Sequence, residues 1–531
     1  MAAFARVSFG VGLGLAILGC GSGTQKSDGG LGGGHSGRAG SSAGAGGGAA
    51  SGASAGTVGA GGRGGGGGGP SGAAGTSSGV AGGGAGATGT GGLGPRGGNG
   101  GGFAGAGAAG TGGATGMAGA QGTAGIGAGG IAGGGATGAG GVGGSGCKTS
   151  VSGTVYDPAG TTPIYRAHVY WPSTALDAVP EGISCTACGT PESGRPITDT
   201  VTDTSGQFKL VGVPAGANIP LVIQVGKWRR QIAVPTVAAC GDTPLAATTT
   251  RLPRDSTEGH LPHIAVVTGH ASALECWLRN VGISDGEFSS ETGSGRVHLY
   301  AGGAGNLPDE GADQLSFGEM FTDAYASLFV SPTKLAGYDM VLLGCEGEQL
   351  ASQKDPHTAT LKAYADAGGR ILAEHFQSYW IRRGPPPWPA TAMWNSSVAA
   401  DLPSPLTATL DTSSDEGMAI GSWMLGIGAA TNGQLSVTMA QNSLQSVVSP
   451  TQQWLTGPPG SEFPLLISFP TPFEATSGPQ CGRVDFSDMH TSDEGVSHPD
   501  VPFPSGCTTT SVAPQERLLE FLFFDTPTCA P

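Results

Sequence analysis

From Gly21 to Gly146 the chain is almost wholly Gly, Ala, Ser and Thr, and it holds most of the 103 glycines. Large apolar side chains occur there only singly, as at Phe103, Met117, Ile126 and Ile131. Burying so few side chains cannot offset the entropy of ordering so much glycine, so residues 21–146 are expected to be a disordered Gly/Ala/Ser-rich tether. Collagen is excluded, because glycine follows no strict three-residue period and proline is scarce. A flexible coil of about 126 residues has a mean span of about 60 Å, enough to hold a folded payload clear of whatever anchors its start.

What precedes the tether is a leader. Residues 1–20 carry one positive charge, Arg6, then the apolar run Val7 to Leu18, then Gly19 and Cys20. That run is too short to span a bilayer and has the order of a secretory signal. Ile17-Leu18-Gly19-Cys20 resembles the lipobox of bacterial lipoprotein signal peptides, with Ile where Leu is usual. The resemblance implies a lipoprotein whose lipidated N-terminus is Cys20 and whose partner is a membrane, reached through that lipid. Gly21 in place of Asp after the cysteine implies the cell envelope, as an outer-membrane or cell-surface protein.

Residues 1–146 hold five of the 24 Lys and Arg and one of the 39 Asp and Glu, leaving the remainder a formal charge of −19. A surface so acidic excludes nucleic acid as a partner. About 385 residues exceed what one core usually holds, so two domains are expected, 147–255 and 260–531. Nine cysteines follow Cys20, and in an exported chain disulfides are their default. Cys481 and Cys507 form a plausible local pair, whereas Cys147, Cys185, Cys188, Cys240 and Cys529 cannot be paired by spacing. The CxxC of Cys185 and Cys188 lacks the second pair a zinc site would show, and an odd count leaves a thiol over.

The region 147–255 reads as a small all-β sandwich. Val151–Val155, Ala167–Trp171, Gln207–Val211 and Pro220–Val225 are short β-prone runs divided by turn residues such as Asp157-Pro-Ala-Gly160 and Pro214-Ala-Gly216. Ser152–Asp157, Ile164–Val169, Thr202–Phe208 and Gly212–Gly216 resemble the carboxypeptidase regulatory-like domain, a seven-stranded transthyretin-like sandwich. The resemblance implies an accessory module without peptidase activity. An insertion from Pro172 to Pro196 departs from the compact pattern and is expected to be a stapled loop; Asp203 is a turn residue, and Trp228-Arg229-Arg230 a strand edge.

Beyond residue 260 the period changes. Strands are expected at His263–Thr268, Arg296–Tyr300, Tyr338–Leu343, Arg370–Ala373, Phe463–Phe469 and Arg483–Phe486, with helices at Ala271–Val281, Gln314–Phe329, His357–Ala367 and Pro514–Asp525. Such alternation predicts an α/β open, mostly parallel sheet. Ligands gather beyond the carboxyl ends of such strands. There fall His270, Cys345 with Glu346, Glu374 with His375, and Asp488 with His490, a set able to bind a divalent metal or to run acid and base chemistry. No other cofactor is indicated. Trp380, Arg382, Arg383 and Pro385–Pro389 form a stiff loop after His375, either a lid or sugar-stacking platform or a connection covering core.

Tyr338 to His375, with Gly482 to His490, resembles the glutamine amidotransferase-like fold of class I, and within it the trehalose-utilisation-like branch. In that family a Cys holds the sharp turn after the second of these strands, completed by a His and a Glu two residues later. Here Glu374 and His375 stand at the nucleophile position, Glu494 is too far from His490, and Cys345 lies one strand early, where oxidising surroundings could join it to Cys276. The resemblance therefore implies a catalytically degenerate domain. Three readings follow: a lipid-anchored envelope protein that binds a carbohydrate or protein ligand without turnover; a metal-assisted hydrolase or lyase of envelope or extracellular carbohydrate, using His270, Glu374, His375, Asp488 and His490; and a Cys-dependent hydrolase with Cys345 as nucleophile and His490 as base.

Overall fold

The computed structural model describes residues 147–185, 192–269, 271–303, 312–396, 401–473, 480–491, 501–508 and 510–524. All of them belong to one compact unit. The leader, Cys20, the tether, Cys188, His270, Glu494 and Cys529 lie outside the described residues.

Seven strands make two small sheets. One places Ser150–Thr154 between Gln207–Val211 and Asp242–Pro244; the other runs Pro196–Val201, His168–Pro172, Gly216–Val225, Trp228–Val237. Gln207–Val211 shows why these residues pair as strands: Phe208 and Leu210 point into the core while their neighbours face water. Asp203 is the turn residue expected, its Oδ1 accepting the amides of Ser205 and Gln207 at 2.9 Å, and Trp228 opens an edge strand.

The third sheet has eleven strands, ordered Thr322–Asp323, Val297–Ala301, Ile264–Val267, Met340–Leu343, Arg370–Glu374, Gly482–Ser487, Pro464–Thr471, Gln452–Thr456, Leu406–Leu410, Gln434–Val437, with Phe288–Ser289 beside Val297–Ala301. As far as Gly482–Ser487 every pairing is parallel, and Ile264–Val267 and Met340–Leu343 are buried throughout, as strands covered on both faces must be. The expectation of a mostly parallel sheet needs correction beyond that point, where four strands pair antiparallel. The segments joining Gln452–Thr456, Pro464–Thr471 and Gly482–Ser487 are too short for a parallel crossover.

The helix expected over Gln314–Phe329 is not formed. Its place holds a short strand, Ala312–Leu315, a turn at Gly318 with φ +91°, and Thr322–Asp323, after which Asp323 Oδ1 accepts the amides of Tyr325 and Ala326. Leu328 and Phe329 still reach the core, but from turns. Trp380 and Trp388 are each 1% exposed, so the segment after His375 covers core and offers no stacking platform.

One apolar cluster runs from the sandwich (Val151, Phe208, Leu221) to one face of the large sheet and to Leu274, Trp277 and Phe521. Trp228 meets Phe524 with ring centroids 5.5 Å apart, so helix Pro514–Phe524 is packed against both sheet systems. Disulfides join Cys147 to Cys240, Cys185 to Cys481 and Cys276 to Cys507. The local pair Cys481–Cys507 and the pair Cys276–Cys345 are thereby corrected. Packing of the segment around Cys507 on helix Leu274–Val281 brings its Cα to 5.4 Å from that of Cys276, and Cys481 closes on the Pro172–Pro196 insertion, stapling that loop to the large sheet. No helix among the described residues is long and apolar enough to cross a membrane.

Candidate functional site

The parallel half of the sheet delivers its polar residues at one edge. Cys345 follows Met340–Leu343, Glu374 ends Arg370–Glu374, His375 opens the turn behind it, and Asp488 and His490 follow Gly482–Ser487. His375 takes φ +40°, a left-handed conformation unusual for a residue with a Cβ, and this sharp turn aims its ring back over the strand ends.

Cys345 Sγ lies 3.4 Å from His375 Nδ1, and His490 Nε2 lies 3.2 Å from the same nitrogen. All three donor atoms fall within 4.8 Å of one another. Cys345 takes part in none of the three disulfides described above and, like both histidines, is buried.

The surroundings polarise the two imidazoles in opposite directions. Burial drives His375 well below the usual histidine range, helped by the charges of His490, Lys354 and Arg382. Burial opposes the charge of His490 too, but the sulfur of Cys345, then Glu374 and Asp488, outweigh it and raise the group to about 9. Burial pushes Glu374 up to about 7 against the opposing pull of His490, while its Oε1 accepts the Thr491 amide at 3.0 Å. Burial likewise pushes Asp488 up to about 6, against the hydrogen bond from the Ser443 amide.

Glu346 stands apart from these. Its Oε1 accepts from the Gly303 amide at 3.0 Å and the Tyr325 hydroxyl at 2.7 Å, and its Oε2 is 2.7 Å from Lys354 Nζ, both side chains fully buried. It anchors a structural ion pair beside His375 rather than joining the donors. Lys354 was not legible in the sequence: one lysine in a short polar helix carries no sign that it will be buried. Gln377 fixes the floor, donating to the Gly344 carbonyl at 2.5 Å and accepting from Trp380 Nε1 at 2.9 Å.

Thiolate and imidazole donors suit a borderline transition metal such as Zn²⁺. Tetrahedral Zn–N and Zn–S bonds of about 2.0–2.3 Å put neighbouring donors roughly 3.3–3.6 Å apart, close to the two separations at His375 Nδ1, with the third pair within 4.8 Å. The same groups could alternatively pair a nucleophilic sulfur with an imidazole base.

No protein-family model matches the chain, and no curated protein matches it. Among solved structures it is similar to two interface mutants of a type II cohesin–X-dockerin complex from Acetivibrio cellulolyticus. One is 20% identical over 28% of this chain and 78% of that chain, with a TM-score of 0.14. The other is 17% identical with the same coverage and a TM-score of 0.13. A structure described as "mmIFT52 N-terminal domain" is 13% identical over 40% of this chain and 86% of that chain, with a TM-score of 0.24.

Proposed function

We propose that this chain is an exported, lipid-anchored envelope protein whose large sheet is an amidotransferase-like scaffold turned to metal-assisted hydrolysis, with Cys345, His375 and His490 as metal ligands. The observation that carries the reading is the mutual spacing of those three donor atoms. The scaffold assignment is supported by the parallel strands and by the left-handed turn at His375, where the resemblance puts the nucleophile of active relatives. Cys345, His375 and His490 would hold a divalent metal, which would supply Lewis acidity for hydrolysis.

The chain's own residues do the rest. His375, kept neutral by burial and by Lys354, presents a lone pair at Nδ1. Glu374 and Asp488 offset positive charge beside His490, whose imidazole, raised to about 9, would have to give up its Nε2 proton to serve as a ligand. Glu374, next in the chain to one ligand and hydrogen-bonded to the residue after another, is placed to take a proton from water.

Elemental analysis of the purified full chain tests this. About one equivalent of transition metal is expected, falling below about a tenth in the His375→Ala, His490→Ala double variant. Protein that stays metal-free after incubation with excess Zn²⁺, and whose Cys345 is alkylated by iodoacetamide equally fast with and without Zn²⁺, overturns the reading in favour of a thiol nucleophile.

A further inference from the structure

At the opposite, amino-terminal end of the same strands lies a groove of about 440 Å³. Arg370 and Arg483 open adjacent parallel strands and are register partners, so both side chains leave the same face of the sheet. Five strand residues at about 3.3 Å each set this groove roughly 15 Å from His375, so it does not belong to the Cys345 cluster. Its floor is fixed in place. Arg483 Nε donates to Asp485 Oδ1 at 2.7 Å and its Nη2 to Ser468 Oγ at 3.1 Å, which in turn accepts Trp454 Nε1 at 2.6 Å. The guanidinium sits 5.9 Å from the centroid of the Trp454 ring.

The facing wall is acidic. It is the first turn of helix Asp415–Gly426, with Ser414 as N-cap accepting the Gly417 amide at 3.0 Å. Glu416 is held by Arg166 of the sandwich at 2.7 Å, and Asp415 is exposed at the rim. A simple anion entering the groove would meet Asp415 and Glu416, and a simple cation would meet two guanidiniums. Arg483 and Glu416 already share their charge with Asp485 and Arg166, and a ligand carrying both charges, set apart, can join both pairs at floor and wall together.

We infer that this groove binds a zwitterion, an α-amino acid or short peptide, with its carboxylate on Arg370 and Arg483 and its ammonium toward Asp415 and Glu416. The volume suits a peptide of a few residues. This site does not depend on the metal reading, since none of its residues touches the Cys345 cluster, and metal-stripped protein binds equally.

Calorimetric titration of the full chain with Ala-Ala, N-acetyl-Ala-Ala and Ala-Ala amide tests it. Ala-Ala is expected to bind saturably, with each capped form about fivefold weaker or more. Arg370→Gln removes the penalty for the amide, and Asp415→Asn removes the penalty for N-acetylation. Should Arg370→Gln fail to fold, Arg370→Lys keeps the charge without the bidentate fork and is expected to weaken Ala-Ala by a smaller factor. Absence of saturable binding by Ala-Ala and Ala-Ala-Ala-Ala up to about 10 mM, or equal binding of free and capped peptides, overturns the inference.

Discussion

Glu520 is a carboxyl fully buried on the closing helix, facing Arg517 at 2.6 Å, Thr162 and the buried Asp157 of the sandwich. Burial is the largest influence and Asp157 adds to it, so despite Arg517 the group is pushed up to about 8 from an ordinary 4.5. The unfolded chain therefore gives up this proton near pH 4.5 while the fold keeps it to about pH 8, and between those values the native state binds more protons than the unfolded one. Stability is thus fully present below the lower value, falls as pH rises through the window, and levels above it. Urea unfolding at pH 5 and pH 8 should show Glu520→Gln removing a decline on the order of 3–5 kcal/mol. Equal declines in parent and variant would mean Glu520 is ionised in the fold. The strand-end carboxylates were legible because every parallel strand ends at one edge of its sheet. Glu520 was not, because its burial comes from a sandwich that precedes it by hundreds of residues.

At the scale of elements, legibility followed the length and clarity of the hydrophobic period. Ile264–Val267, Met340–Leu343 and Arg370–Glu374 announced themselves as short apolar runs, and helix Thr358–Asp366 ended where Gly368-Gly369 required. The antiparallel half, from Leu406 to Thr456, escaped because its strands alternate Thr, Ser and Gln with few large apolar side chains and are held by pairing with neighbours already in place. Helix Asp415–Gly426 did carry a signal in its Ser414 cap and the acids behind it. Gln314–Phe329 misled because its apolar residues recur at helical spacing while Gly318 and Asp323 form turns. One junction is steric. At Gly482 a Cβ would stand 1.9 Å from the Ala365 carbonyl oxygen and 2.3 Å from Thr471 Oγ1, so the strand can lie against helix Thr358–Asp366 only without a side chain. Gly482→Ala is expected to cost about 1–3 kcal/mol in thermal unfolding, with Gly286→Ala, where a Cβ meets nothing within 4 Å, as the neutral control. Equal midpoints for the two variants would show that the junction yields.

For the whole molecule, the compartment decides which state its cysteines can keep. Among the described residues three disulfides close chain separations of 93, 296 and 231 residues: one closes the sandwich on itself, one ties its insertion to the large sheet, and one ties helix Leu274–Val281 to the closing segment. Such long closures restrict the unfolded chain strongly, and they persist only where thiols are oxidised. Yet Cys345 remains a buried thiol within bonding reach of two histidines in the same unit. A thiol kept reduced in an oxidising compartment needs protection, and burial together with a metal would supply it. The proposed route to that compartment is export through the apolar run that ends at Cys20, ahead of the glycine-rich stretch. Cys20→Ser separates the two ideas. Without acylation the chain should leave the membrane fraction and lose metabolic palmitate label, while non-reducing mass analysis still finds all three bridges if export is unaffected. Palmitate retained by the variant, or never taken up by the parent, removes the lipid anchor from the account. Bridges missing from the parent as well would remove export, and with it the reason for a protected thiol.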